Sequence, residues 1–121
     1  MFFVEIQEQF NASHAVKIPG GQWEQSHRHQ WKVRIFLTRR KLNKYFMVVD
    51  FHLAKRILRS VLDTVEGRDL NAIPAIGKSP TTELVAKYLF DQLSTLLTEA
   101  GVKVKSLALC ETDDCWAWYS A

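Results

Sequence analysis

The chain has 121 residues, 47% of them hydrophobic and 24% charged, and a formal net charge of +3. That is the composition of one folded domain, residues 1–121, and it excludes disordered, collagenous and solenoid chains. No apolar run approaches the roughly 18 residues of a membrane-spanning helix, and Met1 to Gln7 lack the basic start and apolar stretch of a secretory leader. With only Cys110 and Cys115, a disulfide framework is excluded as well. The expectation is a reduced, cytoplasmic enzyme or binding domain with no membrane partner.

Phe2, Val4, Ile6 and Phe10 alternate with polar residues and predict a first strand. Ile18-Pro19-Gly20-Gly21 is turn chemistry and opens a loop that runs through Ser26. From His27 the alternation is clean. His27, His29, Trp31, Val33, Ile35 and Leu37 share one face of a second strand, and Arg28, Gln30, Lys32, Arg34 and Thr38 take the other, interrupted by Phe36. Arg39-Arg40-Lys41 and Lys44 form the one dense basic cluster, expected in a strand-to-strand turn. It is either solvated or faces a phosphate-bearing small molecule or RNA, and it lacks the long basic, aromatic-interleaved face of a nucleic-acid binder. Tyr45 to Val49 reads as a continuation or return strand.

Leu53, Ala54, Ile57, Leu58, Val61, Leu62 and Val65 then recur at helical spacing, with Gly67 as a stop. Ser79-Pro80 offers an N-cap and a first-turn proline for a second helix whose stripe is Leu84, Val85, Tyr88, Leu89, Leu93, Leu96 and Leu97. Residues 102–111 and 115–120 read as a closing hairpin. The predicted fold is α+β: a four-stranded antiparallel sheet with two helices on one face.

Parity locates the chemistry. His27 and His29 are two residues apart on a strand and therefore point to the same, inward face. His14 has the parity of Phe2, Val4, Ile6, Phe10 and Ala12. If the first two strands pair as a hairpin, three imidazoles converge at one end of the buried surface, which is the donor set of a catalytic zinc site with an open position. The competing reading is core histidines satisfied by hydrogen bonds. His52 starts the first helix and is expected in solvent; Cys110 and Cys115 could ligate a metal but, with no second pair nearby, read as a packed thiol and a turn residue. Glu24 lies three residues before His27, placed either to act as a general base on a bound substrate or simply to be solvated. Glu111 ends a strand and either enters a pocket, where it would accept two N–H bonds from a guanidine-like edge, or frays into solvent.

Phe10-Asn11-Ala12-Ser13-His14, His27-Arg28-His29, Val48-Val49-Asp50-Phe51 with Leu53-Ala54-Lys55, Leu70-Asn71, Pro80-Thr81-Thr82-Glu83 and Glu111-Thr112 occur in an order and spacing that resembles the 6-pyruvoyl-tetrahydropterin synthase family, which includes the 6-carboxytetrahydropterin synthases. The resemblance runs from about residue 3 to residue 119. It implies the tunnelling fold, whose sheets join into a trimeric barrel, two of which stack as a homohexamer. It also implies Zn2+ on His14, His27 and His29, a pterin ring anchored by Glu111, and a pocket between subunits lined by Thr81, Thr82 and Glu83. The implied substrate is 7,8-dihydroneopterin triphosphate.

Three positions depart from the pattern. Trp23 stands where the family has a catalytic Cys, Arg28 replaces the Gly of His-Gly-His, and Val65-Glu66-Gly67 falls where an Asp-His pair belongs. Glu24-Gln25-Ser26-His27 is similar to a family variant that carries Glu in place of the Cys and is associated with cleavage to 6-hydroxymethyl-7,8-dihydropterin. The resemblance thus implies Glu24 as base with Glu66 as a catalytic assistant. The alternatives are a relative that keeps zinc and pterin without turnover, or the usual synthase product reached by another base. Arg28 is a solvated or intersubunit cation, or else joins Arg68 and Lys17 as a candidate for the triphosphate.

Overall fold

In the computed structural model, which describes residues 1–121, the alternating N-terminal segments become two long strands, β1 (Phe2–His14) and β2 (His27–Arg39). They pair antiparallel along their whole length, from Phe2 opposite Arg39 to His14 opposite His27. Helix α1 (Phe51–Leu62) follows, then a short β3 (Arg68–Asp69), helix α2 (Thr82–Glu99) and the hairpin β4 (Lys103–Thr112) with β5 (Cys115–Tyr119). The sheet order is β3-β1-β2-β4-β5. Its four long strands are antiparallel, and β3 adds a two-residue parallel pairing to Ala12 and Ser13 at the β1 edge.

One face of this sheet is covered. Ile6, Phe10, Trp31, Val33, Ile35, Leu37, Leu107 and Leu109 are buried there, beneath Ala54, Leu58, Val61 and Leu62 of α1 and Val85, Leu89, Leu93 and Leu97 of α2. Each large apolar side chain so buried contributes about 1.5–3 kcal/mol. Phe36, the exception in the β2 pattern, lies on the opposite face and stacks on Trp118 with ring centroids 4.9 Å apart. No helix is long and apolar enough to cross a membrane.

Local details differ from expectation in four places. Tyr45 to Val49 is not a strand. The Asn43 side chain accepts the N–H groups of Tyr45 and Met47, and Phe46 takes φ +63°, so the segment folds into a turn that tucks Val48 and Val49 into the core. The basic cluster Arg39 to Lys44 consequently links β2 to α1 rather than strand to strand. Helix α1 stops at Leu62, ahead of Gly67, whose N–H instead reaches the Asn11 carbonyl at 2.7 Å. The α2 cap is Thr81, whose hydroxyl accepts the Leu84 N–H at 3.2 Å. Ser79 and Pro80 precede it, with the Ser79 hydroxyl accepting from the Lys17 N–H.

Candidate metal centre

The β1–β2 register builds the site. His14 and His27 are directly opposite, and His29 faces Ala12, whose small side chain leaves room beside its imidazole. Below them Trp31 forms a buried floor. Its indole stacks on Phe10, meets the His14 ring edge-on at 4.8 Å and donates to the Ala12 carbonyl at 3.1 Å. His14 is buried, while His27 and His29 keep 34% and 30% of their side chains exposed, so the cluster opens to one side.

Hydrogen bonds fix the orientation of two rings. His14 Nδ1–H donates to the Pro80 carbonyl at 2.8 Å, and His27 Nδ1–H donates to the Gln25 carbonyl at 3.1 Å. A carbonyl can only accept, so both rings turn Nε2 toward the common centre. At that centre lies Glu111. Its Oε2 is 2.8 Å from His14 Nε2 and 3.4 Å from the Nε2 atoms of both His27 and His29. Burial pushes the Glu111 carboxyl up, but the hydrogen bond and charge of His14, the hydrogen bond of His27 and the charge of His29 outweigh it and hold the group below its usual 4.5.

This donor set fits a metal ion. With Nδ1 donating, a neutral His14 would turn a lone pair on Nε2 toward a carboxylate lone pair at 2.8 Å, an arrangement that needs a proton or a cation between the two. Four N and O donors at about 2.0–2.2 Å from a tetrahedral ion stand about 3.3–3.5 Å from one another. Two of the three oxygen-to-nitrogen separations are 3.4 Å, and one donor atom from each of the four residues lies within 4.8 Å of the others. Glu111, expected as the anchor of a heterocyclic ring, also stands within reach of the three histidines, where it could serve as a fourth donor to an ion.

The other Glu111 oxygen faces outward. Thr82 Oγ1 donates to Oε1 at 3.3 Å. An open groove of about 460 Å3 begins there, lined by Thr82, Glu83, Glu111, Cys115, Trp116 and Trp118. Glu111 thus joins the histidines to the groove. The two adjacent threonines part company: Thr81 spends its hydroxyl on the helix cap and Thr82 meets the site. Trp116 and Trp118 escaped the sequence reading. Their one-residue spacing on the closing strand was the signal that two aromatics share a face.

Glu24 is brought to the cluster from the outside. The loop between β1 and β2 folds on itself through the Lys17–Trp23 bridge, with Gly20 and Gly21 at positive φ. Glu24 N–H donates to the Val16 carbonyl, and Val16 N–H donates to Glu24 Oε1 at 3.1 Å, which sets that oxygen 3.7 Å from His27 Nδ1. Oε2 is left without a hydrogen bond. Glu66 sits elsewhere. Its Oε2 accepts the Asn11 N–H at 2.6 Å and its Oε1 accepts from Arg59 at 3.2 Å, so both oxygens brace the α1 exit against β1 and neither touches the histidines. Trp23 and His52 are exposed, Cys110 is packed and Cys115 lies at the hairpin turn.

Fold and site together define an α+β domain with a His/Glu cluster, able to hold a metal ion, at the mouth of a groove. Residues 3–121 match the 6-pyruvoyl tetrahydropterin synthase family, and the chain belongs to it. No curated protein matches the chain. Among solved structures it is similar to the Caenorhabditis elegans 6-pyruvoyl tetrahydropterin synthase, with 21% identity over 99% of this chain and 95% of that one and a TM-score of 0.83. The Plasmodium vivax enzyme superposes with a TM-score of 0.74 at 17% identity, covering 100% of this chain and 99% of that one. A further structure of that protein is of a variant whose catalytic glutamate is replaced by alanine. These likenesses confirm the fold, and the family makes the chain a member of a pterin-processing lyase group.

Proposed function

We propose that this protein is a zinc-dependent lyase that acts on 7,8-dihydroneopterin triphosphate and cleaves its side chain to give 6-hydroxymethyl-7,8-dihydropterin, with Glu24 as the base. The observation that carries this reading is the placement of Glu24: tied by Val16 beside His27, with one carboxylate oxygen free. The catalytic glutamate of the Plasmodium vivax relative supports it. His14, His27 and His29 would hold zinc, which when bound supplies Lewis-acid polarisation of the side-chain hydroxyls.

The remaining chemistry belongs to the chain. Glu24 Oε2 takes the proton of the outer side-chain hydroxyl. The electron pair left on that oxygen closes to a carbonyl as the carbon–carbon bond to the inner carbinol carbon breaks. The pair released there passes into the conjugated ring, and the proton held by Glu24 returns to the inner carbon, which becomes the hydroxymethyl group. No oxidant or water is consumed. Glu111 has two duties. As the ring enters the groove beside Thr82 and Glu83, its carboxylate turns from the histidines to accept paired N–H groups from the pterin edge, and the three histidines would be left to hold the ion. Thr81 supports this by capping the helix that presents Thr82.

The proposed assembly is a homohexamer built from two trimeric barrels. It is supported by the sheet's outer strands, since β5 and most of β1 carry unpaired backbone groups along their free edges.

A second reading, a family member that binds zinc and pterin without turnover, is favoured by Trp23 in the place of the family's Cys and by Glu66, whose oxygens are both occupied. One experiment separates the two. The zinc-loaded protein is incubated with 7,8-dihydroneopterin triphosphate and the products are identified by mass. Release of 6-hydroxymethyl-7,8-dihydropterin is expected, with Glu24→Gln slowing turnover about 10²–10⁴-fold while zinc stays bound. Pterin binding without product would establish the second reading, and undiminished turnover by Glu24→Gln would remove Glu24 from the mechanism.

A further inference from the structure

At the end of the sheet opposite the histidines, Arg39, Arg40, Lys41, Lys103 and Lys105 surround an open hollow of about 510 Å3. Strand register gathers them. Lys103 of β4 lies opposite Thr38 at the end of β2, next to Arg39. Lys103 and Lys105 share the sheet face that points away from the helices, while Val104 between them is buried in the core. Arg40 and Lys41 come in from the turn that leaves β2.

None of the five cations is neutralised within the chain. Every lysine or arginine ion pair is formed elsewhere, by Lys32, Arg59 and Lys87. Like charges gathered around one hollow repel, so folding gains nothing from this arrangement, and it becomes favourable when an anion sits among them. The guanidinium groups offer forked donors and the ammonium groups compact charge, the two kinds of partner that phosphate oxygens take.

We propose that this hollow binds a compact oligophosphate, a small molecule carrying two or three linked phosphate groups. Its volume falls in the range of about 300–1,000 Å3 usual for small-molecule pockets. Phe3 is the only aromatic in its lining, which gives successive nucleobases no stacking platform and disfavours a single-stranded nucleic acid. The site is separate from the metal centre of the same chain. The thirteen residues of β2 carry His27 at one end and Arg39 at the other, a span of about 40 Å.

The test is calorimetric titration of the zinc-loaded full-length protein with inorganic tripolyphosphate, orthophosphate and an oligothymidylate. Tripolyphosphate should bind at least about tenfold more tightly than orthophosphate, and more weakly as salt rises. The double variant Lys103→Ala/Lys105→Ala, and separately Arg40→Ala, should each lose about tenfold or more in affinity, while His29→Ala keeps the binding. All three basic side chains are exposed, and circular dichroism checks that the variants fold. Heat from zinc sequestration by the anion is common to wild type and basic-end variants, so the difference between them reports the hollow. Equal affinity for the two phosphates, no loss in the variants, or tighter binding of the oligothymidylate would each overturn the proposal.

Discussion

The two ends of the β1–β2 ladder treat charge in opposite ways. At the His14–His27 end a carboxylate is drawn among three imidazoles, two of the rings are oriented by carbonyl acceptors, and a tryptophan closes the floor. At the Phe2–Arg39 end five cations stand around a hollow without a counter-charge. The first end is organised before any ligand arrives, and this organisation comes from side chains that share one buried face. The second is organised only by repulsion and strand register. Preorganised donors suit an ion or a reacting group held within fractions of an ångström, whereas loosely held cations suit an anion recognised by charge.

The sharpest way to break this contrast is at the histidines. His14→Ala should leave the purified protein without stoichiometric metal, by elemental analysis, because the remaining donors lose the one buried ring held at both nitrogens. Metal content equal to wild type would show that the cluster is not a ligand set. Next in size is the floor: Trp31→Ala should cost about 3–5 kcal/mol in denaturant unfolding, since it empties a fully buried position and removes the stack on Phe10. Loss of the Thr81 cap should be milder, about 1 kcal/mol for Thr81→Ala in the same assay.

A pH series sharpens the comparison further. In chelator-treated protein the Glu111 carboxyl has a folded pKa below its ordinary 4.5, so it adds stability above that pH and the contribution fades as pH falls through the folded value. The stability gap between wild type and Glu111→Gln should therefore narrow below pH 4.5. The smallest effect is expected at the other end. Lys105→Glu should raise the melting temperature slightly in dilute buffer, and the gain should vanish at high salt, where exposed charges are screened.

Much of the site was legible because a strand has period two. Same-face placement of His27 and His29 follows from one intervening residue, and His14 joins them through the parity of β1, so pairing the strands was enough to bring three rings together. The two helices were readable from apolar stripes that follow their own 3.6-residue period, while their ends were not. A proline offered as a first-turn residue turned out to precede the cap, because the Thr81 hydroxyl reaches Leu84. The segment from Tyr45 to Val49 looked like a strand by composition, yet one asparagine side chain satisfies its backbone as a turn. Glu111 was recognised as a site residue, but its contact with all three histidines was not foreseen. Whether a strand-end carboxylate turns toward a groove or toward histidines on other strands depends on non-local packing, which periodicity does not encode. Glu24 and Glu66 illustrate the same limit, since each is placed by a backbone N–H of another segment: Val16, eight residues before the first, and Asn11, 55 residues before the second.

The bond from His14 to Pro80 has a practical consequence. The acceptor is a main-chain oxygen, so no exchange of side chains at Pro80 deletes it, and an alanine scan would pass over the group that aims a ligand. Replacing the Pro80–Thr81 amide by an ester weakens that oxygen as an acceptor and also deletes the Thr81 N–H bond to the Ser79 carbonyl, so the ring would loosen while every side chain keeps its chemistry. The approach to α2 and the histidine end of the hairpin are in this way one mechanical unit, and a displacement of the helix start would be felt at the imidazole.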